Sequence, residues 1–174
     1  MPNYLELPIG PKCPEVVNAV IEIPNEGINK YEYDKELHVF RLDRNLYSPV
    51  HYPGDYGFIP STLSDDGDPL DVLVLGQEQV YPLTIVAARG VGVMRMRDEK
   101  GIDDKVICVP LHDPYWNQYE ELHELPLILR QEIEQFFTIY KQLEEGKTVT
   151  THGWGPHQEA VSILAAAEAR FAGR

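Results

Sequence analysis

Four carboxylates fall within seven residues at Asp65-Asp66-Gly67-Asp68-Pro69-Leu70-Asp71, and the last of them lies inside the apolar run Leu70 to Leu75. The fold must neutralise like charges crowded at the mouth of a buried strand, because an acid inside such a strand is costly to bury without a partner or a metal. Gly67 permits unusual dihedrals and Pro69 fixes its own φ, so the segment can turn and aim Asp66, Asp68 and Asp71 at one point. Oxygen donors with no nearby Cys or His favour magnesium or manganese over zinc or copper. The plain alternative is a solvated Asp/Gly/Pro turn, and Asp71 argues against it. A calcium EF-hand fails on spacing. Counted from Asp66, Gly67 is at position two and Gln77 at twelve, where that loop needs glycine at six and glutamate at twelve.

The rest of the chain predicts one compact domain over residues 1–174, α+β and mostly β. A chain of this length buries roughly 70% of its unfolded surface, enough for a single core without disulfide or zinc staples. Strands are expected at 16–23, 37–43, 70–75, 85–96 and 106–109, from β-branched runs and apolar alternation. The fourth is interrupted by Gly90 and Gly92, and strand glycines mark the bends or bulges that a small closed barrel needs at its corners. Leu129, Ile133, Phe136, Phe137, Tyr140 and Leu143 form one amphipathic face, predicting a helix over 126–145 that starts near Pro126 and stops before Gly146. A second, alanine-rich helix is expected over 157–171 after Gly155-Pro156, with Val161, Leu164 and Ala165 facing inward.

Charge narrows the function. With 15 Lys+Arg against 28 Asp+Glu, a net charge of −13 opposes attraction to phosphate backbones, so no nucleic-acid partner is expected. Met1 to Lys12 has no charged segment followed by an apolar one, and no run approaches the roughly 18 apolar residues of a membrane span, so the reading is cytoplasmic with no membrane partner. Cys13 and Cys108 fit no CxxC pattern and read as reduced bystanders.

A second acidic group, Asp98, Glu99, Asp103 and Asp104, ends at Lys105. Two carboxylate groups on neighbouring loops can hold two or more cations, and metals about 3.5–4 Å apart recur in phosphoryl transfer. Tyr52-Pro53-Gly54-Asp55-Tyr56-Gly57-Phe58 places two tyrosines on an expected loop, where phenols serve either the core or an anionic oxygen. Lys30, Arg44, Lys105 and Lys141 are scattered cations whose spacing does not show convergence. Other chemistries lack their residues. There is no GxSxG elbow, Leu127 stands where a zinc protease following Glu121-Leu122-His123-Glu124 needs its second histidine, and neither Gly146-Lys147 nor Gly90-Val91-Gly92 completes a nucleotide-binding loop. The six histidines show no ligand spacing.

Taken together, these residues resemble the family I soluble inorganic pyrophosphatases in their shorter bacterial form. Asp66-Gly67-Asp68-Pro69-Leu70-Asp71-Val72 is similar to that family's signature. It is accompanied in order by Val20 to Pro24, Asn29 to Glu32, Asp43-Arg44, the two-tyrosine loop, Asp98 to Lys105, and Phe136-Phe137 through Tyr140-Lys141. The similarity spans about residues 5 to 147, and Ile102 is its one small departure. The resemblance implies a five-stranded OB-like closed barrel flanked by two main C-terminal helices, a homo-oligomer that is usually a hexamer, and hydrolysis of pyrophosphate to two orthophosphates by in-line attack of a metal-activated water. It further implies several Mg2+ ions per site, with Mn2+ as a substitute, held by Asp66, Asp71, Asp98, Asp103 and Glu32. Asp68 would accept the proton of the water. Lys30, Arg44 and Tyr56 would grip one phosphate and Lys105, Tyr140 and Lys141 the other, with Glu22 and Tyr52 in the surrounding shell.

Two rivals differ in sequence. A nucleotide pyrophosphohydrolase of the Nudix kind needs a helical glutamate run after a glycine, and Glu132, Glu134, Glu144 and Glu145 lack that spacing. A non-enzymatic OB-fold module for single-stranded nucleic acid needs basic residues interleaved with aromatics, which the acidity opposes.

Overall fold

The structure is a computed structural model and describes residues 2–174. Among the described residues, nine strands and two α-helices follow in the order β1 (Val17–Ile23), β2 (Asn29–Asp34), β3 (Val39–Asn45), β4 (Asp55–Ile59), β5 (Leu70–Val74), β6 (Ile85–Asp98), β7 (Gly101–Ile102), β8 (Lys105–Pro110), α1 (Leu127–Ile139), β9 (Val149–Pro156) and α2 (His157–Ala172). Strand β1 pairs antiparallel with both β4 and β6, β4 with β5 antiparallel, β5 with β8 parallel and β8 with β6 antiparallel. Those five strands therefore close into a ring, in agreement with the expected fold class. The bend comes where the glycines put it, since the β6–β8 register slips between Gly90 and Gly92. Beyond the ring, β6 continues to pair with β7 and β9.

Alternation along the ring strands serves two cores. Val72, Val74, Val106 and Cys108 pack with Ala160, Leu164 and Ala167 of α2, whereas Leu73, Leu75, Ile107 and Val109 pack with Ile133, Phe136 and Phe137 of α1. Strands read as continuous apolar runs because both faces are covered.

The ring does not contain the strand expected at 37–43. That segment is β3, which pairs only with β2 in a separate two-stranded hairpin. Its place is taken by β4, whose five residues are all buried although the stretch reads as a turn-rich loop. The reason is Gly57. A Cβ there would stand 1.9 Å from the Val20 carbonyl oxygen, so the residue that looks like a loop signal is the one that lets β1 and β4 approach.

Helix α1 stops at Ile139, and residues 140–145 form tight turns that leave Leu143 exposed rather than on the apolar face. In α2, Leu164 is buried as expected, but Ala165 is exposed and Ala160 and Ala167 complete the inward stripe at i, i+4 and i+7. Both cysteines are free thiols. Among the described residues no helix is long and apolar enough to cross a membrane.

Gly57→Ala is expected to lower unfolding free energy by about 3 kcal/mol in urea titrations. Gly76→Ala, where a Cβ meets nothing closer than 3.8 Å, should change it by less than about 0.5 kcal/mol.

Candidate active site

Parallel pairing of β5 with β8 sets Val72 against Val106, so Asp71 and Lys105 are brought side by side at one end of the ring. Lys105 Nζ donates to Asp71 Oδ2 at 2.5 Å and to Asp103 Oδ1 at 2.5 Å. The Lys105 side chain is only 2% exposed. Burial alone would strip its proton, but the two carboxylates outweigh that and hold the ammonium above the usual lysine range. Asp103 responds oppositely. Its own burial outweighs the pull of Lys105 and, with repulsion from Asp71 and Asp98, pushes its carboxyl up to about 6.

Around this triad lies a cavity of about 270 Å³. From the sequence-predicted residues its lining gathers Asp66, Asp68 and Asp71, Asp98 and Asp103, Lys30 and Glu32, Tyr56, Lys105, Tyr140, Lys141 and Glu22. Asp98 ends β6 and accepts from Lys141 Nζ at 3.1 Å, so the turn after α1 is tied to the second acidic group. Lys30 and Glu32 are two apart on β2, project to one face, and are ion-paired to each other. The Asp68 amide donates to Asp66 Oδ1 at 3.0 Å, which folds the signature turn on itself. Glu22 on β1 accepts from the Tyr33 amide at 2.9 Å. Crowding by protein atoms pushes the Glu22 carboxyl up to about 8, although part of its surface still opens to the cavity.

Tyr56 and Tyr140 are both buried, and burial plus the surrounding aspartates raises each phenol well above its ordinary value. Both therefore keep their protons and remain hydrogen-bond donors. Two predicted residues do not reach the cavity wall. Tyr52 is 1% exposed and packs between the rings of Tyr56 and Phe136, with centroids at 5.2 and 4.7 Å. Arg44, opposite Lys30 across the hairpin, is instead held by Asp43 and Glu144.

Sequence reading missed Lys35 and Lys100, which also line the cavity. Lys35 sits at the tip of the β2–β3 hairpin and pairs with Asp68. A lone lysine in a turn carries no spacing signal, so only the hairpin's placement reveals it.

The acids Asp66, Asp71, Asp98, Asp103 and Glu32 offer only oxygen donors, which suits a hard divalent cation. Among the described residues, no three His, Cys, Asp or Glu side chains converge closely enough to enclose one. The lysines account for this, since Lys105, Lys141 and Lys30 each occupy carboxylates of that set. The donor chemistry fits a divalent cation, and the acids must exchange ammonium partners to receive it. Lys105→Met leaves Asp71 and Asp103 facing each other uncompensated. It is expected to cost about 3 kcal/mol of stability in chelator, read by urea unfolding, and an added divalent cation should restore most of that loss.

Comparison with known proteins follows the same lines. The sequence profile of the family described as inorganic pyrophosphatase matches residues 19–172. The chain is 47% identical over 175 residues to the inorganic pyrophosphatase of Thermus thermophilus, covering 99% of this chain and 100% of that one. It is 44% identical over 175 residues to the inorganic pyrophosphatase of Aeropyrum pernix, covering 99% of each. The crystal structure of the Thermus thermophilus inorganic pyrophosphatase superposes with a TM-score of 0.97 at 46% identity, over 99% of this chain and 100% of that one.

Proposed function

The chain belongs to the inorganic pyrophosphatase family, whose reaction is hydrolysis of pyrophosphate to two orthophosphates, and we propose that the cavity around Lys105 performs it. The observation that carries this reading is the pairing of carboxylates with lysines inside one small cavity. A cavity built this way exchanges internal ion pairs for a compact polyanion and its counter-cations.

Family membership implies a divalent metal cofactor, and we assign it to magnesium, with manganese as a substitute, held by Asp66, Asp71, Asp98, Asp103 and Glu32. When bound, the cation supplies charge that neutralises the phosphates and acidifies a water. The chain's own groups do the remaining work. Asp68 accepts the proton of the attacking water, and to do so it must release Lys35. Lys30, Arg44 and Tyr56 grip one phosphate. Lys105, Tyr140 and Lys141 hold the other and stabilise the negative charge it gains as the bond from the bridging oxygen to the attacked phosphorus breaks. Tyr56 and Tyr140 serve as neutral donors because their pKa values are raised. Tyr52 and Glu22 support this shell, Tyr52 by packing its ring against Tyr56 and Phe136 and Glu22 by anchoring the Tyr33 amide of the hairpin.

We further read residues 1–174 as one catalytic domain that is cytoplasmic and works as a homo-oligomer, with a hexamer as the expected state. A net charge of −13 leaves a nucleic-acid-binding module unsupported.

Purified protein should release orthophosphate from pyrophosphate rapidly with magnesium, negligibly with chelator, and negligibly from ATP under the same conditions. No release from folded protein under any divalent metal would overturn the reading. Asp68→Asn keeps the shape and removes the proton acceptor. Its turnover should fall at least about 100-fold while its thermal midpoint stays within about 2 °C of the parent, and normal turnover would remove Asp68 from its role.

A further inference from the structure

Outside the cavity wall, one buried acid is joined to the site by geometry alone. Glu144 lies in the turns that follow α1, with its amide bonded to the Lys141 carbonyl at 3.0 Å. Its side chain is 7% exposed. Arg44 grips it edge-on, with Nε to Oε1 at 3.0 Å and Nη2 to Oε2 at 2.9 Å, while the remaining Arg44 nitrogen pairs with Asp43. Arg44 compensates the charge of this enclosed carboxylate, and the two-point fork fixes the plane of the guanidinium as well as its position.

The placement gives the pair a purpose. Arg44 stands on β3 opposite Lys30, in a hairpin that shares no strand pairing with the ring. Glu144 stands on the turn that also bears Tyr140 and Lys141. The Arg44–Glu144 fork therefore links the groups assigned to one phosphate with the groups assigned to the other, across two elements that no backbone ladder joins. Neither Arg44 nor Glu144 lines the cavity, but Arg44 stands opposite the lining residue Lys30, so Glu144 acts on a substrate only through Arg44.

We infer that Glu144 is a positioning residue that orients Arg44 for phosphate binding. This rests on the reading of Arg44 as a phosphate ligand, and the test separates the two. Steady-state kinetics of magnesium-loaded protein would be measured for the parent, Glu144→Gln, Arg44→Ala and the double variant, each checked for cooperative unfolding well above the assay temperature. Glu144→Gln keeps volume and removes the charge that holds the fork. Its KM for pyrophosphate should rise about tenfold with kcat within about twofold of the parent, and in the Arg44→Ala background the same change should move KM by less than about 1.5-fold. Should Glu144→Gln fail to fold, Glu144→Asp retracts the carboxylate by one methylene with its charge intact. A smaller KM rise that likewise vanishes in the Arg44→Ala background is then expected.

An equal KM rise in both backgrounds, or a fall in kcat with KM unchanged, would overturn the inference while leaving Arg44 in place. A parental KM in Arg44→Ala would overturn the phosphate role of Arg44 itself, and the inference with it.

Discussion

A buried ammonium between two carboxylates is the interaction on which the rest of this structure depends. Lys105 opens β8, Asp71 lies in the adjacent parallel strand β5, and Asp103 begins the two-residue link between β7 and β8. Lys105 is the deepest of the three and is tolerable only with its partners, because removing them leaves an uncompensated charge at a buried position. The ring brings them together, and their mutual compensation lets a polar cavity penetrate a fold whose cores are otherwise apolar. Within the cavity Asp71, Asp98, Asp103 and Glu32 each face a lysine ammonium.

How much of this was legible in the sequence divides along physical lines. The ring was readable because Val17 to Ile23, Leu70 to Val74 and Lys105 to Pro110 have both faces covered, so their apolar runs survive as continuous signals. The bulge at Gly90 and Gly92 was readable because glycine in a strand has few other uses. Strand β4 was not. Its tyrosine and glycine serve the site and a close backbone approach, and both look like loop chemistry until Val20 is seen pressed against Gly57. Leu143 misled in the other direction, since it extends the helical spacing past the point where the chain turns to present Tyr140 and Lys141.

The site shows the same division. Asp71 was conspicuous because a charge in an apolar strand demands an explanation, and the explanation is Lys105. Resemblance to a known family supplied the remaining residues, and the cavity collects all of them but Arg44 and Tyr52. Lys35 and Glu144 escaped both routes. A lysine in a turn and a glutamate in an acidic C-terminal stretch look like solvated surface, and only the tertiary contacts with Asp68 and Arg44 distinguish them.

Ring closure has a consequence for how the molecule comes into being. The pairing that completes the ring sets Val17 against Ala88, and the acids and lysines of the cavity come from β1, β2, β5, β6, β8 and the turn after α1, segments distributed over most of the chain. Contacts so remote in sequence must bear the entropy of closing long loops before they return any stability, which makes assembly slow compared with a helical protein of the same size. No short stretch of the chain can assemble a partial version of the cavity. An emerging polypeptide therefore presents only scattered, solvated charges until nearly all of it has been made, and the affinity for polyanions and their counter-ions appears together with the native state.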